Sequence, residues 1–288
     1  MAWWFPAIPR ARVAWLRTFL YSFIWLDLLL LRPWVRDHGS LPGGLYEPLA
    51  LGDLLLLPTP TTTVVDIVFF ALLACSAVAA TGKLPRVLGW AVFALYLEWM
   101  VIAFSYGKVD HDRFGFLLAL AVLPTVGMVR HRDRTPDERA GWAIRAIQVA
   151  VVCTYFLAVL AKHRYGRGVD TWVDSTTLIR AVVRRGTFLS DPLLEHAWTL
   201  QVTQYLLVAM ELASPLLLVR GRIGRWMLYA FLGFHAVTFA CLGIAFWPHL
   251  ATLLAFLPLE QLPDRWRLAA RHLAPGKLLV DADVAGEP

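Results

Sequence analysis

The chain has 288 residues, of which 58% are hydrophobic and only 17% charged. Soluble domains carry about 45–50% apolar and about 25% charged residues, so this composition excludes a water-soluble globule and indicates a polytopic membrane protein. The net charge of +6 is gathered into alternate loops, a topology signal that does not suggest nucleic acid. Cys75, Cys153 and Cys241 each stand alone in a different apolar run, which points to small buried hydrophobes and to neither a disulfide framework nor a metal site.

Crossing a hydrocarbon core of roughly 30 Å takes about twenty apolar residues. On that measure the expected fold is all-α, a helical membrane bundle of about eight transmembrane segments. The first covers residues 13–31, after Arg10 and Arg12. No small-residue cleavage site follows its start, so no cleavable signal peptide is expected. A loop rich in Gly and Pro follows, and its stretch LALGDLLLLP is too short to span, which suits a re-entrant or interfacial piece. Residues 63–82 and 87–106 form the second and third spans around a turn with Lys83 and Arg86, and the fourth covers residues 112–129. The basic run RHRDRTPDERAGWAIR leads to the fifth, AIRAIQVAVVCTYFLAVLAKHRYGRGVDTW, which places Lys162 at its far end before a basic loop with Trp172. Residues 199–219 and 226–246 are the sixth and seventh, and residues 249–259, after Pro248, form a short eighth.

With both termini cytoplasmic, the inward loops are the ones with Lys83 and Arg86, with Arg130 to Arg145, with Arg220 to Arg225, and the tail with Arg265, Arg267, Arg271 and Lys277. That satisfies the positive-inside rule. The exception is the outward loop after Lys162, with Arg164, Arg167, Arg180, Arg184 and Arg185, which suggests a loop held against the protein by function or by pairing with Asp170, Asp174 and Asp191.

Ionisable groups inside spans are costly in lipid and default to a functional reading when they cannot snorkel. Arg17, Asp27 and Glu211 read as packing groups, and a lone core histidine such as His235 more often satisfies the core than binds a ligand. Lys162 stands at the same membrane face as Asp110 and His111, at the start of the fourth span. A lysine and a histidine at one depth can share proton transfer. The sequence holds no G-x-S-x-G, H-E-x-x-H, C-x-x-C, P-loop or G-x-G-x-x-G motif, and no zinc-type histidine spacing.

Three runs together resemble the membrane domain shared by vitamin K-dependent γ-glutamyl carboxylase and the bacterial HTTM (horizontally transferred transmembrane domain) proteins. They are LRTFLYSFIWLD, VDHDRFGFLLALAVLP and TYFLAVLAKHRYGRGVDTWV, supported by VAMELASPLLLV and by GFHAVTFACLGIAFW around His235. The resemblance implies one transmembrane domain over residues 1–262, then a short cytoplasmic tail, residues 263–288. It implies that Lys162 is a base that deprotonates a reduced quinone of the vitamin K or menaquinol type, with O2 as a possible co-substrate and no metal. It places His111 in the same active site and His235, Asp110, Tyr155 and Trp172 as cofactor-binding candidates. Where the family has asparagine, this chain has Asp110, which puts that polar role in question. The carboxylase's large lumenal domain has no counterpart in these residues, so carboxylation of protein glutamates is not expected.

The leading expectation is therefore a membrane oxidoreductase or lyase-like enzyme of a bacterial inner membrane, its active face toward the outer leaflet. The alternative is a non-catalytic factor that works with partner proteins in maturing or exporting a secreted peptide, using residues 163–190 as a docking surface for peptide or anionic lipid. Charge reversal at Arg184 and Arg185 separates the two, because it should abolish partner association and spare any quinol chemistry. Intramembrane charges also fit a transporter, but no inverted repeat is detectable.

Overall fold

A computed structural model describes residues 2–107 and 109–264. The expected tail charges Arg265, Arg267, Arg271 and Lys277 lie outside the described residues. A two-residue strand β1 (Ile8–Pro9) leads into α1 (Arg10–Leu26), which continues as a π-helical turn through Asp27–Leu31. Next come α2 (Ala50–Leu54), α3 (Thr62–Ala80), α4 (Val87–Phe104), α5 (Phe114–Val122), a second short strand β2 (Pro136–Asp137) and α6 (Glu138–Tyr165). The chain then forms α7 (Val169–Val173), α8 (Thr177–Arg185), α9 (Ala197–Leu212), α10 (Arg222–Leu242) and α11 (Trp247–Leu253).

The protein is mostly helical, and five of the eight expected spans correspond to helices long and apolar enough to cross a bilayer. Among the described residues these are Arg10–Leu31, α3, α4, α6 and α10. The other three expected spans are short or broken, each beside a proline, which removes a backbone donor and clashes with the preceding turn. Pro124 follows α5 in a 3₁₀ turn, Pro215 follows α9 in another, and Pro248 opens α11, only seven residues long. Helix α6 starts where the Asp137 side chain accepts from the N–H groups of Arg139 and Ala140, an N-cap that satisfies two orphan donors. It ends at Tyr165, three residues past Lys162, which stands near its far end as the sequence suggests. Arg167 and Gly168 take positive φ angles there and turn the chain, so Trp172 falls on the separate helix α7.

The main core lies among α1, α3, α4 and α5, around the buried Trp99, Tyr96, Tyr21 and Phe116. Two of its polar groups perform the packing role expected of them. Arg17 donates to the main-chain oxygens of Leu123 and Gly127, carbonyls left open where Pro124 breaks the fourth span. Asp27 accepts from Arg113 (2.6 Å) and from the Tyr96 hydroxyl (2.9 Å), tying α1 to α4 and to the turn before α5.

One end of the bundle is closed by a clasp of termini and loop. Ile8 pairs with Asp137 and Pro9 with Pro136 in antiparallel register. Arg10 donates to Asp137 at 2.7 Å, Arg12 forms two bonds to Glu260 at 2.6 and 2.7 Å, and Arg134 pairs with Asp264. Gly141 is obligatory here, because an added Cβ would fall 1.5 Å from the Pro6 carbonyl oxygen. The N-terminal segment, residues 130–137 and residues 260–264 thus share one end of the bundle.

The clasp predicts a pH signature. Partial burial alone would raise the Asp137 carboxyl, but Arg10 and the two N-cap N–H groups outweigh it and hold it below the usual carboxylate range. A depressed carboxylate stabilises the fold above its unfolded pKa of about 3.9 and loses that contribution as pH falls through the lower native value. The difference in Tm between wild type and Asp137→Asn should therefore be full at pH 6 and shrink below about pH 4. A difference that is constant from pH 6 to pH 3 would contradict the clasp.

Candidate active site

At the opposite end of α6, Lys162 is not a snorkelling charge. Its Nζ donates to both carboxylate oxygens of Glu211, at 2.9 and 2.7 Å, and lies 5.0 Å from the centre of the Trp172 ring. Glu211 comes from the last turn of α9 and Trp172 from α7, so three elements hold the amine in place.

The pair forms part of the wall of a cavity of about 700 Å³. Helical spacing builds the rest of that wall. Helix α9 contributes Leu200, Thr203, Leu207 and Glu211, spaced three or four residues apart on one face, and α10 contributes Phe234, Val237, Thr238 and Cys241, the i, i+3, i+4 and i+7 positions of one face. Ala158 and Ala161 on α6 leave the space that larger side chains would fill. His111, in the 3₁₀ turn before α5, reaches the same cavity. An apolar enclosure with a few convergent polar groups is the usual form of a small-molecule site.

Beside it lies a second, smaller chamber of about 50 Å³, lined in part by His111, Asp112, Tyr155, Glu211, His235 and His249. His111 and Glu211 border both spaces. The Tyr155 hydroxyl is hydrogen bonded to His235 Nε2 at 3.0 Å, while its ring stacks on Phe231 and meets His249 edge-on, with ring centres 4.7 Å apart. His249 is 2% exposed, and neither of its ring nitrogens has a hydrogen-bond partner among the described residues. A chamber of this size with several polar walls has room for water-sized molecules.

The sequence candidates therefore separate. Lys162, His111 and Trp172 meet in the large cavity, and Tyr155 and His235 line the small chamber. Asp110 does not line either of these spaces; it pairs with Arg32 instead. Glu211 pairs with Lys162, where its sequence setting favoured a pairing or packing role over direct chemistry. His249 carries no sequence signal beyond a lone histidine after a proline.

The basic loop after Lys162 is held, but not by the pairing with aspartates that its charges suggested. Among the described residues, Arg164, Arg167, Arg180, Arg184 and Arg185 form no ion pair. Gln204 of α9 does the work instead. Its amide nitrogen donates to the Val173 and Ser175 carbonyls at 2.7 and 2.9 Å, and its oxygen accepts from Leu178 N at 2.6 Å. A neutral amide on the wall helix thus fixes α7 and α8 over the cavity.

Fold and site together define a mostly helical protein with five helices long and apolar enough to cross a membrane and an ion-paired amine in a largely apolar cavity. In comparisons with known proteins, no family model, no curated protein and no solved structure matches the chain.

Proposed function

We propose that this protein is an integral membrane enzyme that binds a hydroquinone, or a similarly weak lipid-soluble acid, in the large cavity and removes its hydroxyl proton with the Lys162–Glu211 pair. The observation that carries this reading is the amine itself, fixed by Glu211 and Trp172 in the wall of an enclosure that is otherwise mostly apolar.

The donor set suits a reduced quinone. The apolar walls from α9 and α10 take the ring and its tail, Lys162 and Glu211 meet one hydroxyl, and His111 meets a second polar atom of the substrate. The pair acts as a unit. As ammonium and carboxylate it accepts the proton on Glu211; as amine and carboxylic acid it accepts it on Lys162. Either way the substrate O–H bond breaks, its electrons stay on oxygen, and the pair gains one positive charge. Net charge in the cavity is unchanged, which matters where the effective dielectric is low. A bound reduced quinone supplies an electron-rich ring that, once deprotonated, can react with O2.

The orientation belongs to the same proposal. With the clasp end cytoplasmic, the cavity opens at the outer leaflet of a bacterial inner membrane, and apolar substrate arrives from the bilayer. Purified protein in lipid nanodiscs should consume O2 when given a menaquinol-type quinol, and Lys162→Ala should not. Wild-type protein without quinol-dependent uptake would contradict the oxygenase form of this reading, and normal uptake by Lys162→Ala would remove the lysine from it.

A further inference from the structure

The clasp end holds another pocket, of about 450 Å³, whose chemistry is the reverse of the large cavity's. Among the described residues, four arginines line it, Arg12, Arg145, Arg220 and Arg225, and no acidic residue does. Arg12 is neutralised by Glu260. The other three have no carboxylate partner among the described residues. Arg145, near the start of α6, is only 7% exposed; its Nε has no hydrogen-bond partner among the described residues, its guanidinium lies 4.5 Å from the centre of the Trp3 ring, and it faces the like charge of Arg220.

Burying one guanidinium beside another without a counter-charge is costly, because desolvation and repulsion act in the same direction. A bound anion removes both costs. The start of α10 adds to the pull. Gly221 provides no side-chain cap for this 21-residue helix, and Gly221, Gly224 and Arg225 all border the pocket. The uncapped N–H groups and the helix dipole favour negative charge there. Guanidinium groups converging with a helix N-terminus suit a phosphate, which offers several acceptor oxygens, better than a planar carboxylate. The pocket floor is apolar, with Leu217, Leu228 and Phe256, and can take the carbon skeleton attached to such a group.

We infer that this pocket is a binding site for a phosphate-bearing anion, held by Arg145, Arg220 and Arg225 at the N-terminus of α10. Phosphate could come from an anionic phospholipid headgroup or from a soluble phosphate compound, and the test separates these sources. Thermal unfolding of the purified protein is followed with sodium phosphate against sodium chloride at equal ionic strength. Retention of phosphatidylglycerol against phosphatidylcholine is followed by native mass spectrometry. Stabilisation by phosphate alone assigns a soluble ligand; selective retention of phosphatidylglycerol assigns a headgroup. Arg220 and Arg225 are exposed at the rim, so the Arg220→Gln/Arg225→Gln variant should fold. It should bind whichever probe is active at least about tenfold more weakly, the scale of one lost charge-assisted hydrogen bond. Arg222→Gln, outside the pocket, should bind like wild type. The inference is overturned if neither probe is preferred over its control, if the double variant binds normally, or if Arg222→Gln weakens binding as much.

Discussion

Replacing Lys162 with alanine is expected to lower quinol-dependent turnover by about 10²- to 10⁴-fold, the range a positioned acid–base group supplies. Glu211→Gln should cost a comparable factor, since the proton acceptor is the pair, and the double variant should lose little beyond either single one. Stability should follow a different order. Either single change strands one member of a largely buried pair whose side chains are 14% and 8% exposed. Removing one partner of such a pair costs about 3–5 kcal/mol, less to the extent that the remaining group can neutralise itself. Lys162→Met with Glu211→Leu removes both charges together and should recover most of that loss without recovering activity. Thermal unfolding and O2 uptake on the same four preparations separate the two roles. Additive losses of activity, with each residue contributing independently, would contradict a shared proton acceptor.

The largest effect on stability alone is expected at Asp27. It is fully buried, and Arg113, its partner, is 3% exposed. Asp27→Ala leaves the guanidinium in the core without a counter-charge, removes an acceptor from Tyr96, and should destabilise the protein by about 3–5 kcal/mol. Asp27 does not line the cavity, and although Arg113 shares the turn of His111, the Lys162–Glu211 pair stands on α6 and α9, so protein that does fold should keep most of its activity at low temperature. Asp27→Leu combined with Arg113→Met exchanges the ion pair for apolar contacts and should be far less damaging than Asp27→Ala. Chemical denaturation in detergent measures both. Loss of activity without loss of stability in Asp27→Ala would place the residue in the chemistry instead of the packing.

How much of this could be read from the chain depends on the kind of signal each residue carries. Lys162 was legible because a lone amine in a long apolar helix has no bland composition to hide in. Glu211 was visible as a charge but not as a partner: it lies 49 positions further along, and no periodicity links α6 to α9. His111 and Asp110 are neighbours in sequence and looked like one cluster. The turn that carries them sends His111 to the cavity and leaves Asp110 with Arg32. The apolar runs located the helices, yet hydropathy alone counts a segment as continuous through Pro124 or Pro215, where the backbone cannot remain α-helical. Arg145 and Arg220 served as topology charges in the sequence. Their shared pocket became visible only once α6 and α10 were placed side by side. Gln204 left no trace at all, since a glutamine in a helix says nothing about which carbonyls it will meet.

The central claim is that the substrate occupies the cavity walled by Lys162, Glu211, Trp172 and His111. Photolabelling tests it most directly: a photoactivatable quinol analogue is bound to the protein in nanodiscs, illuminated, and the labelled peptides mapped by mass spectrometry. Label confined to the cavity-bordering peptides of α6 to α10 and of the turn that carries His111, and displaced by unlabelled menaquinol, is the predicted result. Label spread over the lipid-facing surface, or undiminished by the competitor, would contradict it.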